Sequence, residues 1–220
     1  MIKPLHIPAI AELLSRPMRT QRETACDLLR QKGLVRMRDL RDAGVGAETV
    51  ARLVRGGSVT RVARGLYQLA DAVPDPQRSF AEASALVPNG VICLTSALQF
   101  HELTLQMPSA IWMAIERTGW KPEVEYPRIR FVRFGGQVLR EGVNRHRIEG
   151  IEVPIFEPAK TIVDCFRYRN KIGMDIALEG LREGLRTKRA TPDELWEFAQ
   201  SARVWSVMRP YLEAMVADGG

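Results

Sequence analysis

Seven arginines lie between positions 36 and 64: Arg36, Arg38, Arg41, Arg52, Arg55, Arg61 and Arg64. A guanidinium is a planar fork of donors with a permanent charge, matched to the paired acceptors of a phosphate or a guanine edge. Glu48 and Thr49 stand among them, and a carboxylate and a hydroxyl can complete the reading of base edges. Such a set can hold a polyanion and discriminate along it. Double-stranded DNA is the polyanion it suits best.

Residue types that make and break bonds are present only in scattered form. Glu157-Pro158-Ala159-Lys160 resembles a nuclease fragment, but the metal-dependent pattern needs a further acidic residue upstream and a shorter gap. An i, i+4 pair of Lys160 with Asp164 on one helix accounts for these residues more simply. His101-Glu102 has no second histidine four residues after the first, and His6, His101 and His146 are isolated. Ser84 and Ser96 have no adjacent base, and Gly56-Gly57 reads as a helix stop rather than a phosphate loop. Cys26, Cys93 and Cys165 are odd in number, far apart and outside any C-x-x-C, which suits buried thiols rather than a disulfide or a zinc site. The expectation is a protein that is not an enzyme, with no catalytic residues, no metal and no cofactor.

The elements that must position the arginines follow from spacing. Thr20 with Glu23 is a capping box opening a helix over Gln21–Lys32, with Ala25, Leu28 and Leu29 on its buried side. Val35 to Arg41 predicts a second short helix that buries Leu40 and stops at Ala43-Gly44, and Gly44-Val45-Gly46 is the turn. Ala47–Arg55 is the third helix: Val50, Leu53 and Val54 form its apolar stripe, and Glu48, Thr49, Arg52 and Arg55 its free face. Val59–Val62 and Leu66–Leu69 are strands joined through Ala63-Arg64-Gly65, with Arg64 at the tip. Helix, turn, helix and ribbon in this order describe a winged helix-turn-helix. In that fold Glu48, Thr49, Arg52 and Arg55 meet base edges, Arg61 and Arg64 place the wing, and Arg36, Arg38 and Arg41 hold phosphates. Two plainer readings stand beside this one: solvated arginines on a surface helix, and a winged fold used to dock a protein.

Charge is concentrated in the same place. Residues 16–71 contain 12 Lys and Arg against 6 Asp and Glu, whereas residues 72–220 contain 19 of each. The whole net charge of +6 therefore sits on the candidate winged domain. Counterion release rewards such a surface on DNA, although an acidic protein would be attracted as well.

After Leu69 a Pro- and Asp-rich stretch places a boundary at residues 71–77, so the expected domains are 1–71 and 78–220. Helices are expected over Arg78–Val87 and Ser96–Leu103, the latter capped by Thr95, and strands over Val91–Leu94, Ile111–Ile115 and Ile129–Phe134. A hairpin arm at 148–156 leads into a helical remainder from Glu157 to Val216, which makes the second domain α+β. Arg128, Arg130 and Arg133 belong to a moderately basic stretch that would either extend the DNA footprint or form a solvated sheet face. Residues 1–15 suggest a small helix. They lack a signal-peptide pattern, and no apolar run approaches a membrane span, so a cytoplasmic protein with no membrane partner is expected.

Three strings resemble one family. RVARGLYQL (61–69), preceded by Leu29, Gly33, Asp39-Leu40, Ala43-Gly44 and RLVRGG (52–57), is similar to the N-terminal domain of the AbiEi antitoxins, the DNA-binding half of type IV toxin–antitoxin operons. SALQFHEL (96–103) and PAKTIVDC (158–165) continue the resemblance into the second domain. It implies an autorepressor that binds inverted repeats of its own operator. It also implies that the α+β domain supports cooperativity or bends the DNA, and counters a cognate nucleotidyltransferase-like toxin without necessarily touching it. The remaining readings are direct binding of the toxin through a protein-interaction module, and a stand-alone winged-helix regulator.

Overall fold

A computed structural model describes residues 19–73, 75–124 and 126–218 of the chain. They fall into two compact units divided after Ala72. The small helix expected within residues 1–15 lies outside the described residues.

Among the described residues the first helix of the first unit is α1 (Gln21–Lys32). The Thr20 hydroxyl accepts from the Glu23 N–H while the Glu23 carboxylate accepts from the Thr20 N–H, which closes the capping box. Val35 and Arg36 do not begin a helix. They form strand β1 (Val35–Arg36), and α2 (Met37–Asp42) starts only after it. The cause is non-local: β1 pairs antiparallel with β3 (Leu66–Leu69), Val35 opposite Tyr67 and Arg36 opposite Leu66. Val35 is fully buried there, where a β-branched side chain packs well. The Met37 N–H donates to the Gly65 carbonyl over 2.8 Å, tying the start of α2 to the hairpin.

After the turn at Gly44 comes α3 (Ala47–Arg55), and β2 (Val59–Ala63) completes a sheet of order β1-β3-β2. The β2–β3 turn runs through Arg64 and Gly65, and Gly65 has φ +73°, a conformation that a side chain would resist. Leu29, Leu40, Val45, Val50, Leu53 and Val59 form the core beneath.

The second unit is built on a five-stranded mixed sheet of order β6-β5-β4-β8-β7. Its strands are β4 (Val91–Ile92), β5 (Ile111–Glu116), β6 (Ile129–Phe134), β7 (Val143–Ile148) and β8 (Ile151–Phe156). The β5–β6 and β4–β8 pairs are parallel, and β4–β5 and β7–β8 antiparallel. Ile111 to Ile115 are all buried, so β5 is covered on both faces. On one side α4 (Arg78–Leu86) packs against β4, β5, β7 and β8. Trp112, Ala114, Val132, Phe134 and Phe156 face a second cluster. It is filled from α5 (Leu94–Phe100), α7 (Pro158–Arg167), α9 (Met174–Arg186), α10 (Pro192–Ser201) and α11 (Trp205–Asp218). The short helices α6 (Gly136–Arg140) and α8 (Arg169–Ile172) complete the unit. The architecture is α+β with a helical C-terminal part.

One further local reading changes. Thr95 does not cap a helix: α5 begins at Leu94 with Cys93 as its N-cap residue, and Thr95 is buried inside the first turn. Strand β7 and helix α6 have no strong pattern of their own. β7 is specified by its ladder with β8, from Val143 opposite Phe156 to Ile148 opposite Ile151.

The expected i, i+4 pair proves to be a core feature. Lys160 Nζ lies 2.5 Å from Asp164 Oδ2, and both side chains are essentially inaccessible. The ammonium also stands 5.1 Å from the Phe134 ring centre and 4.8 Å from that of Phe156. Burial pushes the Asp164 carboxyl above the usual range, and the charge and hydrogen bond of Lys160 oppose that push.

His101 follows α5 and is buried, with Nε2 2.7 Å from the Phe156 carbonyl oxygen. That acceptor requires Nε2 to carry the proton. Burial lowers the His101 pKa below its ordinary 6.5, against the raising effect of this hydrogen bond, and burial also lowers that of His146. Between the lowered folded value and 6.5 the unfolded chain holds a proton that the folded chain refuses. Stability therefore falls as pH drops through that window. Urea denaturation at pH values from 7.5 to 5 should show this loss, with a shallower slope for His101→Asn; identical slopes would assign the loss to other groups.

Candidate nucleic-acid interface

The candidate surface is built on α3, α2 and the β2–β3 hairpin. At about 100° per residue, Arg55, Glu48 and Arg52 fall within roughly 60° of one another on α3, opposite Val50, Leu53 and Val54. All three are exposed. Arg55 Nη2 meets Glu48 Oε1 at 2.8 Å, with both side chains more than two-thirds accessible. Such a surface pair is weak and gives way readily to a better partner.

Thr49 is corrected by the structure. It is only 7% exposed, and its hydroxyl donates to Gln21 Oε1 over 2.8 Å. On the helical wheel it stands about 40° from Leu53, so it belongs to the edge of the buried stripe and not to the free face. Gln21, which spacing alone did not single out, also accepts the Gly46 N–H at 3.0 Å. One amide thus pins the entrance of α3 to the first turn of α1. Arg52 Nη2 approaches the Thr49 hydroxyl at 3.5 Å, so Thr49 acts behind the arginine.

Arg64 is exposed at the hairpin turn, and Arg61 is exposed beside it with Nε donating to the Ala63 carbonyl at 3.4 Å. The ladder shifts register between Arg61 and Ala63, which separates the two arginines from a simple alternation. On α2, Arg38 and Arg41 are exposed, and Arg38 Nε lies 3.3 Å from Asp39. Arg36, the N-cap residue of α2, is half-buried; desolvation lowers its pKa first, then the neighbouring Arg38, with Asp39 opposing.

The three arginines expected to extend the footprint, Arg128, Arg130 and Arg133, have different surroundings. Arg128 is exposed. Arg130 lies with its guanidinium 5.5 Å from the Trp112 ring centre. Arg133 donates through Nη1 to the carbonyls of Glu116, Arg117 and Gly119, and so fixes the turn after β5. Cys26 is half-buried, and Cys93 and Cys165 are buried free thiols whose pKa burial raises well above the usual value. Among the described residues no group of three or more His, Cys, Asp or Glu side chains could hold a metal, and no helix is long and apolar enough to cross a membrane.

Among the described residues of the first unit, three helices, a three-stranded sheet and arginines on α3 and at the hairpin tip define the winged helix-turn-helix class. Residues 27–70, which span the end of α1 through the wing, match the family model described as "Transcriptional regulator, AbiEi antitoxin". The match and the resemblance read from residues 29–69 name the same family over the same segment. No curated protein matches the chain. Among solved structures, the crystal structure of the RV2827C protein from Mycobacterium tuberculosis is similar, with a TM-score of 0.59 over 91% of this chain and 79% of that one. At 14% identity the likeness is one of fold.

Proposed function

We propose that the chain is a cytoplasmic, non-enzymatic DNA-binding regulator and antitoxin of the AbiEi type. In this reading residues 1–71 bind its operator, and residues 78–220 carry the antitoxin function against a nucleotidyltransferase-like toxin. The observation that carries it is the exposed Arg52–Arg55–Glu48 face of α3 beside the Arg64 hairpin, within the segment that matches the family model. Arg52, Arg55 and Glu48 read base edges; Arg55 exchanges its weak bond to Glu48 for guanine or phosphate. Arg61 and Arg64 place the wing, and Arg38 and Arg41, with the half-buried Arg36 behind them, hold phosphates. Arg128 and Arg130 are outer candidates for an extended footprint.

A shift assay on inverted repeats upstream of the gene tests this reading. Arg52→Ala is expected to cost roughly 1–3 kcal/mol and relax specificity at one position, whereas Arg38→Ala weakens all sequences alike and reduces the salt slope by about one. Binding that ignores salt would contradict the proposal. Retention of a co-expressed toxin at high salt without DNA would favour direct protein contact instead.

A further inference from the structure

A cleft in the α+β unit is lined by ten residues, two of them cationic and none acidic. Arg130 and Lys171 supply the charge, Thr95, Gln106 and Ser109 supply polar groups, and Trp112 forms part of the wall. Elsewhere on the described surface, arginines commonly stand against carboxylates, as Arg145 does with Glu152, Arg186 with Glu183 and Arg189 with Glu102. Among the described residues Arg130 and Lys171 enter no such pair; each lies over an aromatic ring instead, Arg130 over Trp112 at 5.5 Å and Lys171 over Tyr168 at 5.6 Å. A ring face holds a cation while leaving its N–H donors available. Thr95 also lines the cleft and is 5% exposed, its hydroxyl oxygen lying beneath the surface.

The walls are held from behind. The Trp112 N–H donates to Ser96 Oγ at 2.9 Å, the Leu105 N–H to Glu179 at 3.0 Å and the Gln106 N–H to Thr104 Oγ1 at 3.1 Å. The cavity measures about 180 Å³, below the roughly 300–1,000 Å³ of sites for drug-sized ligands. Unneutralised cations and small size together select a compact, multiply charged anion.

We propose that this cleft binds a small dianion, a phosphomonoester or a short dicarboxylate, held between Arg130 and Lys171. This site shares with the DNA-binding reading only Arg130, an outer candidate for the footprint, and does not depend on the winged unit. Calorimetric titration of the full chain with inorganic phosphate, and in parallel with succinate, at constant ionic strength set by chloride, tests it. Saturable 1:1 binding of at least one probe is expected, weakened about tenfold by Arg130→Gln and by Lys171→Gln, as for loss of a charge-assisted hydrogen bond. Arg186→Gln, which alters an exposed arginine outside the cleft, should change nothing. Preference for phosphate or for succinate identifies the source of the dianion, and either result supports the site. Absence of saturation with both probes, or binding insensitive to Arg130→Gln and Lys171→Gln, would overturn it. So would loss of operator affinity in those variants without any phosphate or succinate binding, which would make the cleft a DNA backbone contact.

Discussion

Asp164→Ala is expected to destabilise the α+β unit by roughly 3–5 kcal/mol, the range for removing one partner of a buried ion pair. Lys160 and Asp164 are both essentially inaccessible, so the alanine leaves an ammonium in the core with only the faces of Phe134 and Phe156 beside it. Two aromatic faces do not replace a carboxylate, and Lys160 must either lose its proton or draw water inward. The double replacement Lys160→Met with Asp164→Leu removes both charges at similar volume and is expected to be neutral or stabilising, since the pair's attraction does little more than offset its desolvation. Urea denaturation of the three proteins, with hydrogen exchange followed at residues 158–167, separates these cases. A single variant within about 1 kcal/mol of the parent would mean that the pair is hydrated in solution.

The second large effect lies in the winged unit. Leu40 is fully buried within the cluster that includes Leu29, Val50 and Leu53, and Leu40→Ala should cost about 2–5 kcal/mol for the lost contacts and the cavity. A module of this size has only on the order of 5 kcal/mol in total, at about 0.05–0.15 kcal/mol per residue. Its α3 face would therefore be folded only part of the time. Operator binding should fall accordingly although no arginine has changed, and low temperature or an osmolyte should restore part of it. Undiminished binding by a demonstrably unfolded module would place the DNA contacts outside it.

What could be read along the chain is what neighbouring residues decide. The capping boxes at Thr20/Glu23 and Thr191/Glu194 start α1 and α10 where the side chain, N–H and carboxylate lie within one turn of each other. The bounds of α3 follow from a stripe that needs only helical period, and Arg64-Gly65 turns the hairpin because glycine accepts positive φ. The PAKTIVDC string likewise carries its own helix and its i, i+4 pair, although spacing did not reveal that the pair is buried.

Tertiary structure decided whatever depends on partners distant in sequence. Val35 and Arg36 have no local reason to be a strand until β3, some 30 residues later, offers its free edge. Thr49 sits on the border of two faces, and Gln21 from another helix draws it inward. Arg128, Arg130 and Arg133 look alike as a basic run and all three are exposed, yet Arg130 lies over Trp112 and Arg133 fastens a turn, because their neighbours come from β5 and the residues after it. The cleft joins Thr95, Trp112, Arg130 and Lys171, positions that share no spacing and meet only when the sheet and helices assemble. Periodicity and capping are interactions of short range, so sequence alone determined the helices and strands that carry their own pattern and the concentration of charge. Burial and pairing across long separations, which only the assembled fold supplies, decided which of those charged groups are exposed to a ligand.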